Sequence, residues 1–166
     1  MSPAPELVIE LLDRNHNRTV FHCGIESLDR YLKRQANQDM KRRISRVFVA
    51  RSPEKETRVL GVYTLSAISI DLSALPKTVA DKLPKHPIPA ALIGRLAVDS
   101  SAPGMGIGRM LLADAVRRTL AVGDDIAIYA MVVDAINRQA ESFYEHYGFA
   151  PLVRDRGRLF LPLKSL

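Results

Sequence analysis

Three glycines at alternate positions, Gly104, Gly106 and Gly108, lie in the run Pro103-Gly-Met-Gly-Ile-Gly-Arg109. They follow a strand-like apolar run, Ala91 to Val98, and open a helical one, Met110 to Leu120. Spaced this way, they leave the backbone N–H groups of Gly104, Met105, Gly106, Ile107, Gly108 and Arg109 unscreened where a helix begins. Unpaired amides at the positive end of a helix wrap an anion, so the expected ligand carries phosphate. Two familiar phosphate loops do not fit. A Walker loop ends in Gly-Lys-Ser/Thr, whereas Gly108 is followed by Arg109 and Met110. A dinucleotide fingerprint belongs to the first strand–helix unit, and this turn lies past the middle of the chain. Glycines between strand and helix are also ordinary turn punctuation, so spacing alone leaves both readings open.

Such a turn needs a strand to lead in and a helix to lead out. Glu6 to Leu12 reads as a first strand and Asp13 to Arg18 as a polar loop. Ile25, Leu28, Leu32 and Ala36 then recur at helical spacing and share one face at about 100° per residue. Arg30, Arg34 and Lys41 fall almost opposite, and Lys41, Arg42, Arg43 and Arg46 crowd the end. Val47–Arg51 and Val59–Leu72 form an antiparallel hairpin about the polar turn at 52–57. The proline-rich stretch 75–89 encloses a short helix, Lys77 to Leu83. After the glycine turn come a strand, Asp125 to Val133, a helix, Asn137 to Tyr147, closed by Gly148, and a last strand, Arg158 to Leu163. This order predicts one α/β (α+β) domain over 1–166, a mixed, largely antiparallel sheet flanked by helices.

Bulk properties narrow the classes. A 166-residue chain that is 47% hydrophobic builds one core of ordinary size. No apolar run approaches the roughly 20 residues of a membrane span, and the opening Met-Ser-Pro-Ala-Pro-Glu has no basic leader, so a cytoplasmic protein is expected. The single cysteine, Cys23, excludes an internal disulfide and fits a reducing compartment. His16, His22, His86 and His146 show no metal-ligand spacing, and no metal is expected. A net charge of +6 favours anionic partners without choosing among them.

Two motifs together resemble the GNAT superfamily of acetyl-CoA-dependent N-acetyltransferases. The family's loop, Gln/Arg-x-x-Gly-x-Gly/Ala, maps onto Pro103 to Gly108. Its second element, a short helix bearing Asn and ending in Phe-Tyr-x-x-x-Gly-Phe, maps onto Asn137 and Phe143-Tyr144-Glu-His-Tyr-Gly148-Phe149. Pro103 departs from the pattern. It has no N–H and no side-chain donor, so the anion must be held by the amides of residues 104 to 109, with the Arg109 side chain. A narrower resemblance spans most of the chain. Phe21-His-Cys-Gly-Ile-Glu-Ser-Leu-Asp-Arg-Tyr-Leu32 and Ile93-Gly-Arg-Leu-Ala-Val-Asp99 are similar to the GNAT toxins of bacterial toxin–antitoxin pairs. That resemblance implies a dimeric enzyme that acetylates the α-amino group of the amino acid on charged tRNA, blocks translation, and is neutralised by a ribbon-helix-helix antitoxin.

Acetyl transfer to an amine needs a held thioester, a neutral amine, a stabilised oxyanion and a proton for the leaving thiolate. The resemblance implies that Leu96, Ala97 and Val98 offer backbone groups to the pantetheine arm and the oxyanion, and that Asn137 contacts the coenzyme. Tyr144 is the expected general acid, since a phenol with a pKa of about 10 stays protonated at neutral pH. The same tyrosine also fits an apolar helical face with Ala140, Phe143 and Tyr147. No general base stands out: Asp99 and Glu141 are weak candidates, and water can deprotonate an α-amine with a pKa of about 8. Arg30, Arg34, Lys41, Arg42, Arg43 and Arg46 are expected to track tRNA phosphates, and Arg95, in the central strand, to contact the substrate. A solvated helix face and a structural ion pair of Arg95 are the other readings of these residues. Ile68, Ser69 and the segment around His86 are expected walls of the acceptor pocket. The alternatives are a GNAT acting on a protein N-terminus or small amine, and a non-catalytic GNAT-fold binding module.

Overall fold

The computed structural model describes residues 6–154 and 157–166, so the first five residues of the opening lie outside it. In chain order the main elements are β1 (Val8–Leu11), α1 (Glu26–Arg34), α2 (Ala36–Lys41), β2 (Arg46–Arg51), β3 (Gly61–Ile70) and α3 (Lys77–Ala80). There follow β4 (Ile88–Ile93), β5 (Leu96–Val98), α4 (Ile107–Gly123), β6 (Ala130–Asp134), α5 (Arg138–His146), β7 (Ala150–Pro151) and β8 (Arg158–Pro162). The strands hydrogen-bond in the order β1-β2-β3-β4-β6-β8-β7, with β5 paired to β3. Among the strand pairs of the described residues only β4 and β6 run parallel, so the mixed, mostly antiparallel sheet read from the sequence is what forms. The residues group into two compact units, 1–65 with 95–115, and 66–94 with 116–166.

In the first unit, β1 pairs with β2, and β2 and β5 pair with the first half of β3. Leu28, Leu32 and Ala36 bury against Val47, Val49, Val59 and Val62. Leu32 is wholly buried, and burial on that scale contributes about 2 kcal/mol per leucine. That stripe fixes where the two short helices lie. The single helix implied by Ile25, Leu28, Leu32 and Ala36 is in fact two, because the chain leaves helical geometry at Gln35 (φ −119, ψ −29). The buried Tyr63 hydroxyl donates to Asp114 of α4 at 2.6 Å, tying the helix that follows the glycine turn to β3.

In the second unit, β4 pairs with the second half of β3, β6 with β4 and β8, and β7 with β8. Ile70, Leu75, Ile88, Val132, Leu152 and Phe160 are among the core residues there. Three sequence readings change. The strand expected over Asp125 to Val133 begins only at Ala130, opposite Pro162, where β8 ends. Before it, Tyr129 still bonds its N–H to the Pro89 carbonyl of β4 at 2.9 Å, and Ile126 is 66% exposed. The short helix expected over Lys77 to Leu83 ends at Ala80. The run Ala91 to Val98 is not one strand. Ser66 faces Leu92 and Tyr63 faces Leu96, so three steps along β3 match four along the opposing chain. The extra residue is a β-bulge, and Arg95 lies in this break rather than within a central strand.

Candidate active site

Gly104 and Gly106 have φ of +70 and +74, the left-handed region that disfavours side chains. The turn between Ala102 and α4 therefore requires glycine at both positions. The carbonyl of Gly106 accepts the N–H of Met110 at 3.1 Å and so closes the first helical turn. The N–H groups of Ile107, Gly108 and Arg109 precede the first intrahelical acceptor and stay free for an anion. Gly108 sits inside α4 with no positive φ, so glycine there is not required by the backbone. Nothing lies within 4 Å of the place a Cβ would occupy on Gly104. The Arg109 guanidinium lies 3.8 Å from the corresponding place on Gly106, which brings the predicted cation to the turn. Met105 is 44% exposed at its tip. Open space, free amides and an adjacent guanidinium suit a pyrophosphate.

Leu96, Ala97 and Val98 form β5, whose backbone groups divide by parity. The Arg95 carbonyl accepts the Thr64 N–H at 3.0 Å, and the Asp99 N–H donates to the Leu60 carbonyl at 2.8 Å. Residues 95, 97 and 99 therefore face β3, and Leu96 and Val98 turn their N–H and C=O groups to the other side. The Ala97 backbone is committed to the sheet, so a pantetheine arm would meet Leu96 and Val98. Sequence reasoning missed Gly61. A methyl group there would lie 2.8 Å from Leu111 Cδ1, 3.0 Å from Ile107 Cγ2 and 3.4 Å from the Ala97 carbonyl oxygen. Its bare backbone lets the start of α4 settle against β3 beside β5. The glycine between Leu60 and Val62 was its one signal.

In the second unit, Asn137 is the N-cap of α5, its Oδ1 accepting the Ala140 N–H at 2.9 Å. That leaves its amide NH₂ as the group able to reach a ligand. Tyr144 is 3% exposed and sits edge-on to Phe143 and Phe149, with ring centroids 5.2 and 5.7 Å away. Tyr144 is thus part of the core, as the apolar helical face implied. Burial, reinforced by the negative charge of Asp134, pushes its phenol above the ordinary tyrosine value. It keeps its proton throughout the neutral range. Glu141 lies 3.8 Å from Arg138 in an ion pair. Of the expected acceptor walls, Ile68 packs against the second unit's core, while Ser69 and His86 are exposed.

Asp99 is held in a network of hydrogen bonds from three residues. Its carboxylate accepts the His22 N–H at 2.8 Å, the Arg58 guanidinium at 2.9 Å, and both the amide and hydroxyl of Ser101. Burial pushes the carboxyl up, but the bonds from Ser101, His22 and Arg58 outweigh it and hold the group below its ordinary value. A depressed folded pKa stabilises the protein above the unfolded value of about 3.9 and loses that contribution as pH falls through the folded value. Melting temperature should therefore drop steeply below about pH 4, and Asp99→Asn should flatten that acid limb while lowering stability at neutral pH. An unchanged limb in thermal melts between pH 3 and 6 would remove this role. Burial likewise raises the Cys23 thiol to about 11, so it is protonated and unreactive at neutral pH.

The cations expected to meet nucleic acid lie in the first unit. Arg34, Lys41, Arg42 and Arg43 are all exposed, and none forms an ion pair with a described residue. Arg30, by contrast, is paired with Glu26. Arg43 has φ +60 and closes α2: its own N–H bonds the Met40 carbonyl, and the Ile44 N–H bonds the Asp39 carbonyl. Arg95 stacks its guanidinium 3.6 Å from the centroid of the Tyr31 ring.

A glycine turn at the head of a helix, beside a strand that exposes half its backbone, is what a coenzyme-dependent acyltransferase requires. The acetyltransferase (GNAT) domain model matches residues 43–151, and the chain belongs to the GNAT family. A tRNA-acetylating toxin of Mycobacterium tuberculosis is 36% identical over 147 residues, covering 89% of this chain and 86% of its own. Among solved structures, AtaT complexed with acetyl-methionyl-tRNAfMet is 34% identical, with a TM-score of 0.89 and 96% of each chain covered. AtaTR bound with AcCoA is 35% identical, with a TM-score of 0.84, covering 96% of this chain and 95% of that one.

Proposed function

We propose that this protein transfers the acetyl group of acetyl-CoA to the α-amino group of the amino acid on charged tRNA, and so blocks translation. The glycine turn carries the coenzyme half of this reading, because Gly104 and Gly106 adopt a backbone that serves to bare the first amides of α4. The acceptor half is supported by Arg34, Lys41, Arg42 and Arg43, exposed and without an ion pair among the described residues, by Arg95, and by near-full-length similarity to a tRNA-acetylating toxin. Acetyl-CoA supplies an activated thioester. The amides of residues 107–109 and the Arg109 side chain hold its phosphates, Leu96 and Val98 bond its amide arm, and the Asn137 amide adds a contact. An N–H of Leu96 or Val98 donates to the oxygen that gains charge. Tyr144 donates its proton to the departing thiolate. The α-amine of an aminoacyl ester has a pKa of about 8 and needs no dedicated protein base.

The whole chain acts as one catalytic domain, in the cytoplasm, as a homodimer restrained by a ribbon-helix-helix antitoxin. Incubation with labelled acetyl-CoA and total charged tRNA is expected to place label on the amino acid of an aminoacyl ester. Label on protein N-termini or small amines, with none on any tRNA, would instead support the alternative acceptors.

A further inference from the structure

Tyr31 and Asp39 join the two groups of cations in the first unit. The Tyr31 hydroxyl donates to Asp39 Oδ2 at 2.8 Å, with both residues buried, and the Arg95 guanidinium lies 3.6 Å over the ring. Hydrogen bonding to a carboxylate pushes electron density into the phenol ring, which strengthens its attraction for a cation on the ring face. The Arg95 backbone is itself pinned, its N–H to Thr64 Oγ1 at 3.1 Å and its carbonyl to the Thr64 N–H. Backbone and guanidinium are thus fixed at opposite ends of the residue. Asp39 does a second job: its main-chain carbonyl accepts the Ile44 N–H at 2.9 Å and so closes the turn that carries Lys41, Arg42 and Arg43. Burial and the Asp39 bond raise the Tyr31 phenol to about 12, so the hydroxyl remains a donor under all physiological conditions.

We propose that Tyr31 and Asp39 are positioning residues that preset Arg95, together with the Lys41–Arg43 turn, as one rigid receptor for the anionic acceptor end of charged tRNA. The proposal rests on the tRNA reading above. A guanidinium held before the ligand arrives loses less rotamer freedom on binding than a free one, so the effect should appear in affinity for tRNA and not in the chemical step.

The test uses the full chain and total aminoacylated bacterial tRNA. Tyr31→Leu is expected to raise the KM for tRNA about tenfold, with kcat held within about twofold and the KM for acetyl-CoA unchanged. Tyr31→Phe, which keeps the ring, should recover most of that loss. On an Arg95→Ala background, Tyr31→Leu should add little, because the partner it positions is gone. If the two effects multiply instead, or if Tyr31→Leu leaves tRNA KM unchanged while Arg95→Ala raises it, the positioning role is wrong and the tRNA reading stands. If Arg95→Ala itself leaves tRNA KM unchanged, the Arg95 contact fails and the proposal falls with it. Should Tyr31→Leu not fold, Asp39→Asn replaces it, with an expected rise of about threefold in the parent and none on Arg95→Ala; equal rises in both overturn the proposal.

Discussion

Tyr144→Phe is expected to bind acetyl-CoA as the parent does and to turn over about 10²- to 10⁴-fold more slowly, the range one positioned proton donor supplies. The packing explains why binding survives. The ring rests edge-on against Phe143 and Phe149, and phenylalanine keeps that arrangement while losing only the hydroxyl. Burial, with Asp134 adding to it, keeps the phenol protonated, so the pH–rate profile should show no descending limb from this group below about pH 10. Coenzyme titration and single-turnover acetylation of charged tRNA separate the two effects. Near-parent turnover would reduce Tyr144 to a core residue.

Gly106→Val is expected to show the opposite pattern, with acetyl-CoA binding weakened about 10- to 100-fold. A β-branched residue at φ +74 carries a backbone penalty of at least about 1–2 kcal/mol, or roughly one decade in affinity. The remainder comes from a side chain projecting over amides that must approach a phosphate, and from disturbing the Arg109 guanidinium beside it. Tyr144 is untouched, so turnover at saturating coenzyme should stay within about threefold of the parent. Equal losses in affinity and saturated turnover would mean that the turn organises more than coenzyme binding.

Much of this was legible in the sequence because glycine and the helical repeat act locally. Gly104 and Gly106 marked a turn that only glycine accommodates, and Leu28, Leu32 and Ala36 marked the face that is buried. The misreadings arose where tertiary pairing decides. Apolar spacing runs straight through Gln35, so it cannot reveal that the helix breaks there. Asp125 to Tyr129 has strand-like composition, but β8 ends opposite Ala130 and only Tyr129 of this run bonds β4, through Pro89, among the described residues. The break at Arg95 reflects a one-residue mismatch in register, a property of two distant segments together. Asp99 drew notice as an acid near the site, yet its role is set by His22, Arg58 and Ser101, none of which a local pattern could supply.

The parity of β5 has a consequence for how this stretch can drift. Leu96 and Val98 would meet the coenzyme through atoms that every amino acid except proline possesses, so their side chains are free to vary as long as the extended backbone persists. Substitutions of one β-former for another should pass nearly unnoticed, whereas proline at either place would erase a donor outright. Relatives could share this contact without sharing a letter at these positions, and its trace in a family would be the exclusion of one residue type.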